Sequence, residues 1–360
     1  MGGGTPADAG RAEAAGSAQA AGRFDRFILG PRADAFFFGP GATLVVGGVL
    51  LLLPLLGAGA GGVATKLTAA LSLLLIGPHY GATYRRAYTS REVIRAHPWV
   101  TLAVPLILLG AAVAAVADPT RIGLVYFGLY VGWSGYHYSK QSLGIAMLYP
   151  LRQGARLDVR EKRLISAPLF VSWLLSLLGL FRLSGSARNP AYELVRTAYH
   201  GPSLPGWALA VGLAALAASG LGVLSVARAR RARGVPLPWP TYAVLLAQVV
   251  WFTSALYSPI INITMVPMFH GLQYLALTSW HATREPTAGT RGHFVVYAVT
   301  VLVLGFLITP VLFALMTGPD ANRTLMATAA LITFVNLHHF LLDGRIWRLR
   351  ERRVAQSMIA

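Results

Sequence analysis

The chain has no cysteine among its 360 residues. That excludes disulfides, thiolate-ligated metals, iron–sulfur clusters and cysteine nucleophiles. Charge is also scarce: 12% of residues are Asp, Glu, Lys or Arg, against roughly 25% in an ordinary soluble domain. Acids are the rarer sign, 13 against 31 Lys and Arg, which leaves a formal net charge of +18. With 55% apolar residues and a mean hydropathy of +0.56, too few polar side chains remain to cover a water-facing globule, and the implied solvent is lipid. The positive charge does not indicate nucleic acid. The basic residues are scattered in short loops between apolar runs and form no nucleic-acid motif.

What is present is a series of long apolar runs. Ten intervals have about the ~20 residues needed to cross a bilayer. They lie near 41–60, 66–84, 98–117, 122–148, 164–181, 206–227, 239–257, 260–282, 294–315 and 324–344. The runs are continuously apolar rather than alternating, so they predict helices and not barrel strands. The expected fold class is all-α: a polytopic membrane helical bundle of about ten transmembrane helices. Residues 1–22 are rich in Gly and Ala and lack an apolar h-region. They read as disordered chain rather than a secretory signal. The expected organisation is a disordered cytoplasmic tail over 1–35, a transmembrane helical domain over 36–350 and a cytoplasmic tail over 351–360. Phe36, Phe37 and Phe38 are expected at the membrane interface, and 182–205 forms a long outside loop with room for an interfacial helix.

Orientation follows from counting. With the N-terminus inside, the inside segments hold 25 of the 31 Lys and Arg residues. The outside segments hold only Lys66, Arg121, Arg182, Arg188, Arg196 and Arg323. This asymmetry predicts both ends on the cytoplasmic side. A missed or false span would scramble the alternation, so the same count supports ten spans.

Ionisable residues inside spans are costly and are functional candidates by default. Asp343 is the one acid clearly within a span, whereas six of the nine histidines lie in spans. The second span ends Gly77-Pro78-His79-Tyr80, and the fourth contains Tyr136-His137-Tyr138 with Lys140 and Gln141. The eighth contains Phe269-His270-Gly271 with Gln273 and Tyr274 and ends at Trp280-His281, and the tenth runs Asn336-Leu337-His338-His339 to Asp343. All four spans are even-numbered, so all run from outside to inside. By helical rise His79 and His339 are each roughly 9 Å short of Arg85 and Arg345, while His270 is roughly 21 Å from Arg284. One shared site therefore requires tilted or broken helices, which Pro267 and Gly271 beside His270 permit.

Residues three or four apart share a helix face. His270 then groups with Gln273 and Tyr274, His137 with Lys140 and Gln141, and Asn336 with His339 and Asp343. Several neutral imidazoles facing one another within a membrane suggest a metal site for iron, copper, zinc or nickel. Asp343 is either a ligand or an orienting partner for a histidine. A single histidine in a span is about as often a packing or hydrogen-bonding residue, and His281 reads equally well as interfacial. Four helices each supplying one argue against coincidence. His97, His200 and His293 read as ordinary interfacial or loop residues, and Lys140 as a side chain snorkelling to the cytoplasmic side.

These segments resemble the Brp/Blh family of bacterial and archaeal membrane dioxygenases, which cleave beta-carotene centrally into retinal. Gly77-Pro78-His79-Tyr80-Gly81 resembles the family's Pro-His segment, His137 its isolated histidine on a later helix, and Phe269-His270 its His-rich helix. His338 with Asp343 resembles its late His and Asp five residues apart. The order and spacing agree over roughly residues 70–345. One departure is specific: the family's third segment has two histidines four residues apart, and here the second position is Tyr274.

The resemblance implies Fe(II), or another transition metal, held by His79, His137, His270 and either His338 or His339, with His281 as a further candidate. It implies O2 and a lipophilic substrate, carotenoid or other lipid, entering from the bilayer. Tyr274 and Tyr138 are candidates for orienting oxygen or substrate, and Asp343 completes the candidate catalytic set. The expected location is integral to a membrane, the bacterial inner membrane in particular. Two other classes stay open: a haem-binding redox protein with two axial histidines, and a proton-coupled transporter using His and Asp343 as a relay. Di-iron desaturases are disfavoured because their dense His boxes, such as HxxHH, are missing. The absence of native cysteine gives the topology a clean test. A Ser90→Cys variant is expected to react with a membrane-impermeant maleimide only after permeabilisation, and Ser186→Cys to react in intact cells; the reverse pattern would invert the topology.

Overall fold

The computed structural model describes residues 27–52, 60–184, 205–256, 259–284, 291–316 and 321–348, together with Val354 and Met358. Residues 1–26 of the expected 1–35 tail and most of the expected outside loop lie outside the described residues. Within them all regular structure is helical. The helices are α1 (Pro31–Phe37), α2 (Gly48–Leu52), α3 (Ala60–Tyr88), α4 (Arg91–Ala96), α5 (Val104–Ala117) and α6 (Leu124–Arg152). They continue with α7 (Val159–Ser184), α8 (Gly206–Ala232), α9 (Trp239–Thr253), α10 (Pro259–Ala282), α11 (Arg291–Met316) and α12 (Ala321–Ile346). Wide π turns lead into α2, α5 and α6.

Among the described residues, five helical segments are long and apolar enough to cross a membrane: Trp99–Ala117, Val159–Leu180, Gly206–Ala232, Trp239–Leu256 and Met326–Ile346. Their outward faces carry large apolar side chains, among them Leu106, Ile107 and Val113 on α5 and Trp207, Val211 and Leu221 on α8. In water such a surface would be unfavourable; against acyl chains it is neutral, while the helix satisfies its own backbone. These features make the chain a membrane-type helical protein.

Small residues set the closest helix contacts. α3 packs on α10, α11 and α12. At the α3–α11 crossing, a Cβ on Gly305 would fall on the backbone of Gly77 and Pro78, and one on Gly81 on the carbonyl of Val301. Only glycine lets these two backbones approach so nearly. α10 meets α3 in a similar way, since a Cβ on Gly271 would lie 3.3 Å from the Leu75 carbonyl oxygen and 3.6 Å from His79 Cβ.

Polar clamps hold the rest. Buried Glu161 on α7 accepts from Arg230 Nε and Nη2 at 2.9 and 2.8 Å and from Arg233 Nη2 at 2.6 Å, which ties α7 to α8. Gln248 Nε2 on α9 donates to Ser139 Oγ at 3.0 Å and to the Leu169 carbonyl at 2.8 Å, joining α6, α7 and α9. In the first turn of α1, Asp34 accepts from the Ile28 and Leu29 amides at 2.9 and 2.8 Å. Burial pushes the Asp34 carboxyl above its ordinary pKa, and these two amides pull it back down. Phe38, expected at the interface, is instead fully buried in a cluster with Tyr149, Ile145 and Val244. Its carbonyl accepts from Gln273 Nε2 at 3.1 Å, so this segment folds back under the bundle.

Gly305→Val is expected to force α3 from α11 and lower stability by about 1–3 kcal/mol, as overpacking does. Gly128, where a Cβ would meet nothing within 4 Å, is the control: Gly128→Ala should match or slightly exceed the parent in a detergent melting curve. Equal melting temperatures for Gly305→Val and the parent would contradict the crossing described.

Candidate metal centre

Four helices bring the histidines together. α3 supplies His79, α6 His137, α10 His270 and α12 His339, and all four side chains are buried. His79 and His339 meet through their Nε2 atoms at 2.7 Å. Ring centroids lie 4.8 Å apart for His79–His270, 5.0 Å for His137–His270 and 4.9 Å for His137–His339. Asp343, one helical turn beyond His339, places Oδ2 3.5 Å from His339 Nε2 and 4.0 Å from His137 Nε2. Among the described residues, two sets of potential ligand atoms lie within 4.8 Å of one another: His79, His270 and His339, and His137, His339 and Asp343. His339 belongs to both.

The depth of His270 does not keep it away. α10 runs unbroken through Pro267, and Gly271 lets it close on α3 at the level of His79. Gln141 Nε2 on α6 adds a hydrogen bond to the His270 carbonyl at 3.2 Å. The Tyr138 ring lies against the His270 imidazole with centroids 4.3 Å apart.

A polar network holds Asp343 and His339. Thr83 Oγ1 and the Tyr274 hydroxyl contact Asp343 Oδ1 at 3.0 and 2.8 Å and each other at 2.6 Å. Trp347 Nε1 donates to the Tyr274 oxygen at 2.9 Å. His339 Nδ1 is 2.9 Å from Thr83 Oγ1. The set is best satisfied when both hydroxyls donate to Asp343 and His339 Nδ1–H donates to Thr83. Oδ1 is then saturated, Oδ2 faces the histidines, and His339 Nε2 presents a lone pair toward His79. His79 Nε2–H can donate to that lone pair at 2.7 Å, or a cation can take the place of the shared proton. On the other side of His79, the Tyr80 hydroxyl donates to Asn336 Oδ1 at 2.8 Å.

The histidines also show unmet capacity. His79 Nδ1, His137 Nε2 and both nitrogens of His270 are buried without a hydrogen-bond partner. Leaving such atoms unpaired costs about 1–3 kcal/mol each. A divalent transition metal fits this donor set: neutral imidazoles and one carboxylate oxygen, each metal-facing group backed by an outer hydrogen bond where one is present.

No family model, curated protein or solved structure matches this chain.

Two candidate ligands lie elsewhere. His338 faces away from the cluster: its Nε2 is 3.2 Å from the Val100 carbonyl and 3.4 Å from the Tyr88 hydroxyl, and its Nδ1 is 3.3 Å from the Tyr84 hydroxyl. His281 packs on Trp347, with centroids 5.2 Å apart, and Arg86 Nη1 lies 3.3 and 3.4 Å from its two ring nitrogens. Tyr138 borders the cluster through its ring against His270, and Tyr274 through a hydroxyl engaged by Asp343, Thr83 and Trp347. Thr83 and Trp347 were not singled out in the sequence. The signal was there: Thr83 is one turn from His79 and Trp347 one turn from Asp343, on the same helix faces.

Beside the cluster, His137, Tyr274, Phe340 and Asp343 line the inner end of a cavity of about 730 Å³ that runs between α6, α10 and α12. Its walls are mostly apolar and aromatic, including Trp133, Tyr136, Leu143 and Leu148.

Substitution of His79, His270 or His339 by Ala is expected to abolish transition-metal retention by purified protein, measured by elemental analysis. His338→Ala should retain metal at the parental stoichiometry. Thr83→Val, which removes an outer hydrogen bond from both His339 and Asp343, should weaken metal affinity by about 10–100-fold.

Proposed function

We propose that the protein is a membrane-embedded, histidine-ligated non-haem iron oxygenase acting on a lipophilic substrate, carotenoid or other lipid. The observation that carries this reading is the convergence of four imidazoles and Asp343, with several buried nitrogens unpartnered, at the inner end of an apolar cavity. His79, His137, His270, His339 and Asp343 Oδ2 would hold the iron. Ferrous iron bound there would supply the one-electron chemistry that O2 activation requires.

The chain's own residues have separate tasks. Thr83, Tyr274 and Trp347 hold Asp343 in one orientation. Trp133, Tyr136 and Phe340 line the approach with apolar and aromatic surface that excludes water and seats a hydrocarbon. Tyr274 borders both the network and the cavity, and its hydroxyl, engaged by Asp343, Thr83 and Trp347, serves to hold Asp343. The likeness to the Brp/Blh family lies in the same segments, and Tyr274 then serves as a partner of Asp343 where that family has a second histidine. In this reading the chain is a ten-span bundle with both ends cytoplasmic, in the bacterial inner membrane.

Direct contact between His79 and His339 favours a bare metal over haem. Axial histidines grip a macrocycle from opposite faces, and nitrogens 2.7 Å apart leave no slot for one.

Purified protein is expected to contain iron and to show no Soret band. It should also consume O2 when supplied with its lipophilic substrate. Protein free of any transition metal, or carrying an intense Soret absorption, would refute the proposal.

A further inference from the structure

The cavity that reaches His137 and Asp343 has a charged mouth. Lys140 lies one turn along α6 from His137, and Arg345 and Arg348 lie just past Asp343; all three line the cavity. Lys140 and Arg345 are exposed, and neither makes a hydrogen bond or salt bridge among the described residues. Arg348, just past the end of α12, donates Nε to the Gly344 carbonyl at 3.0 Å. Among the described lining residues the one acid is Asp343, whose Oδ1 is taken by Thr83 and Tyr274. The cavity is thus apolar along its walls and cationic at one end.

Two glycines sharpen this picture. Gly144 on α6 and Gly344 on α12 both line the cavity. A Cβ at either would meet nothing within 4 Å. They are not needed for helix contact, unlike Gly81, Gly271 and Gly305. A glycine inside a helix costs about 0.5–1 kcal/mol relative to alanine, and here it keeps width in the passage. The volume of about 730 Å³ is in the ordinary range for ligand sites, about 300–1,000 Å³.

From this we infer that the occupant is an anionic long-chain amphiphile. Its carboxylate or phosphate head group sits at Lys140, Arg345 and Arg348, and its hydrocarbon chain runs past Gly144 and Gly344 toward His137. Charge-assisted bonds from Arg and Lys are the strong, orienting contacts for such a head. Basic residues are expected at cytoplasmic helix ends in any case. What positions these three is that they share one cavity with the metal-binding cluster. The head group then sets how far the chain can enter, and so which carbon reaches the site. This inference names the substrate class of the oxygenase proposed above and rests on that reading, but binding by itself does not need the metal.

The test is equilibrium binding of radiolabelled oleate, phosphatidylglycerol and neutral oleyl alcohol to full-length protein in non-ionic detergent, with and without prior chelation. Oleate or phosphatidylglycerol should bind at least roughly tenfold more tightly than oleyl alcohol, the factor that about 1.4 kcal/mol supplies. Lys140→Gln combined with Arg345→Gln should erase that preference, and Lys140→Arg should keep it. Gly144→Leu combined with Gly344→Leu should weaken all three ligands while leaving the melting temperature within a few degrees. Oleate binding without phosphatidylglycerol binding assigns a free fatty acid, and the converse a membrane phospholipid. Equal binding of anionic and neutral ligands, no binding of either anion, or a preference that survives the double Gln substitution would overturn the inference. Retained binding in protein that never holds iron would leave this inference standing while the oxygenase reading failed.

Discussion

Burying four imidazoles and a carboxylate side by side within an apolar bundle is the constraint that organises this molecule. Each polar atom taken from water needs a partner, and partners exist for some and not for others. Asp343 Oδ1 is saturated, the Tyr274 oxygen receives the Trp347 N–H, and His339 Nδ1 has Thr83. The unmatched atoms are His79 Nδ1, His137 Nε2 and both nitrogens of His270. Every unmatched atom belongs to a ring of the cluster, and His270 has neither nitrogen satisfied. Unpaired imidazole nitrogens gathered this closely are the lone pairs that a cation would use.

The helices obey the same constraint. α3 can bring His79 to His339 and His270 only because its neighbours approach to backbone contact, and Gly81, Gly271 and Gly305 make that approach feasible. Glycines elsewhere do the opposite. Gly144 and Gly344 face open space between α6 and α12 and widen the path to the cluster. The same residue type closes the bundle on one side of the site and opens it on the other.

Much of this was legible in the sequence, for identifiable reasons. Lipid imposes length and apolarity on helices, so the intervals near 98–117, 164–181, 206–227, 239–257 and 324–344 stand out by composition and match the five segments able to cross a membrane. Histidines and an aspartate within such runs are conspicuous because they are costly there. The face argument is local geometry: Asn336, His339 and Asp343 share a stripe, and this is the stripe that meets α3. The likeness to a known family pointed instead to His338, which faces Tyr84, Tyr88 and the Val100 carbonyl. Neighbouring residues on a helix point about 100° apart, so a one-residue choice decides between the cluster and a different wall.

The sequence alone determined the solvent, the secondary structure and the short list of residues able to bind a metal. Each of these depends on composition, run length and local spacing. Only the tertiary structure decided which of the six histidines in apolar runs meet, that Thr83 and Trp347 complete the network around Asp343, and that a cation-rimmed cavity ends there. Those facts depend on contacts between residues such as Thr83 and Asp343, 260 positions apart, and on backbone approaches that no single helix encodes.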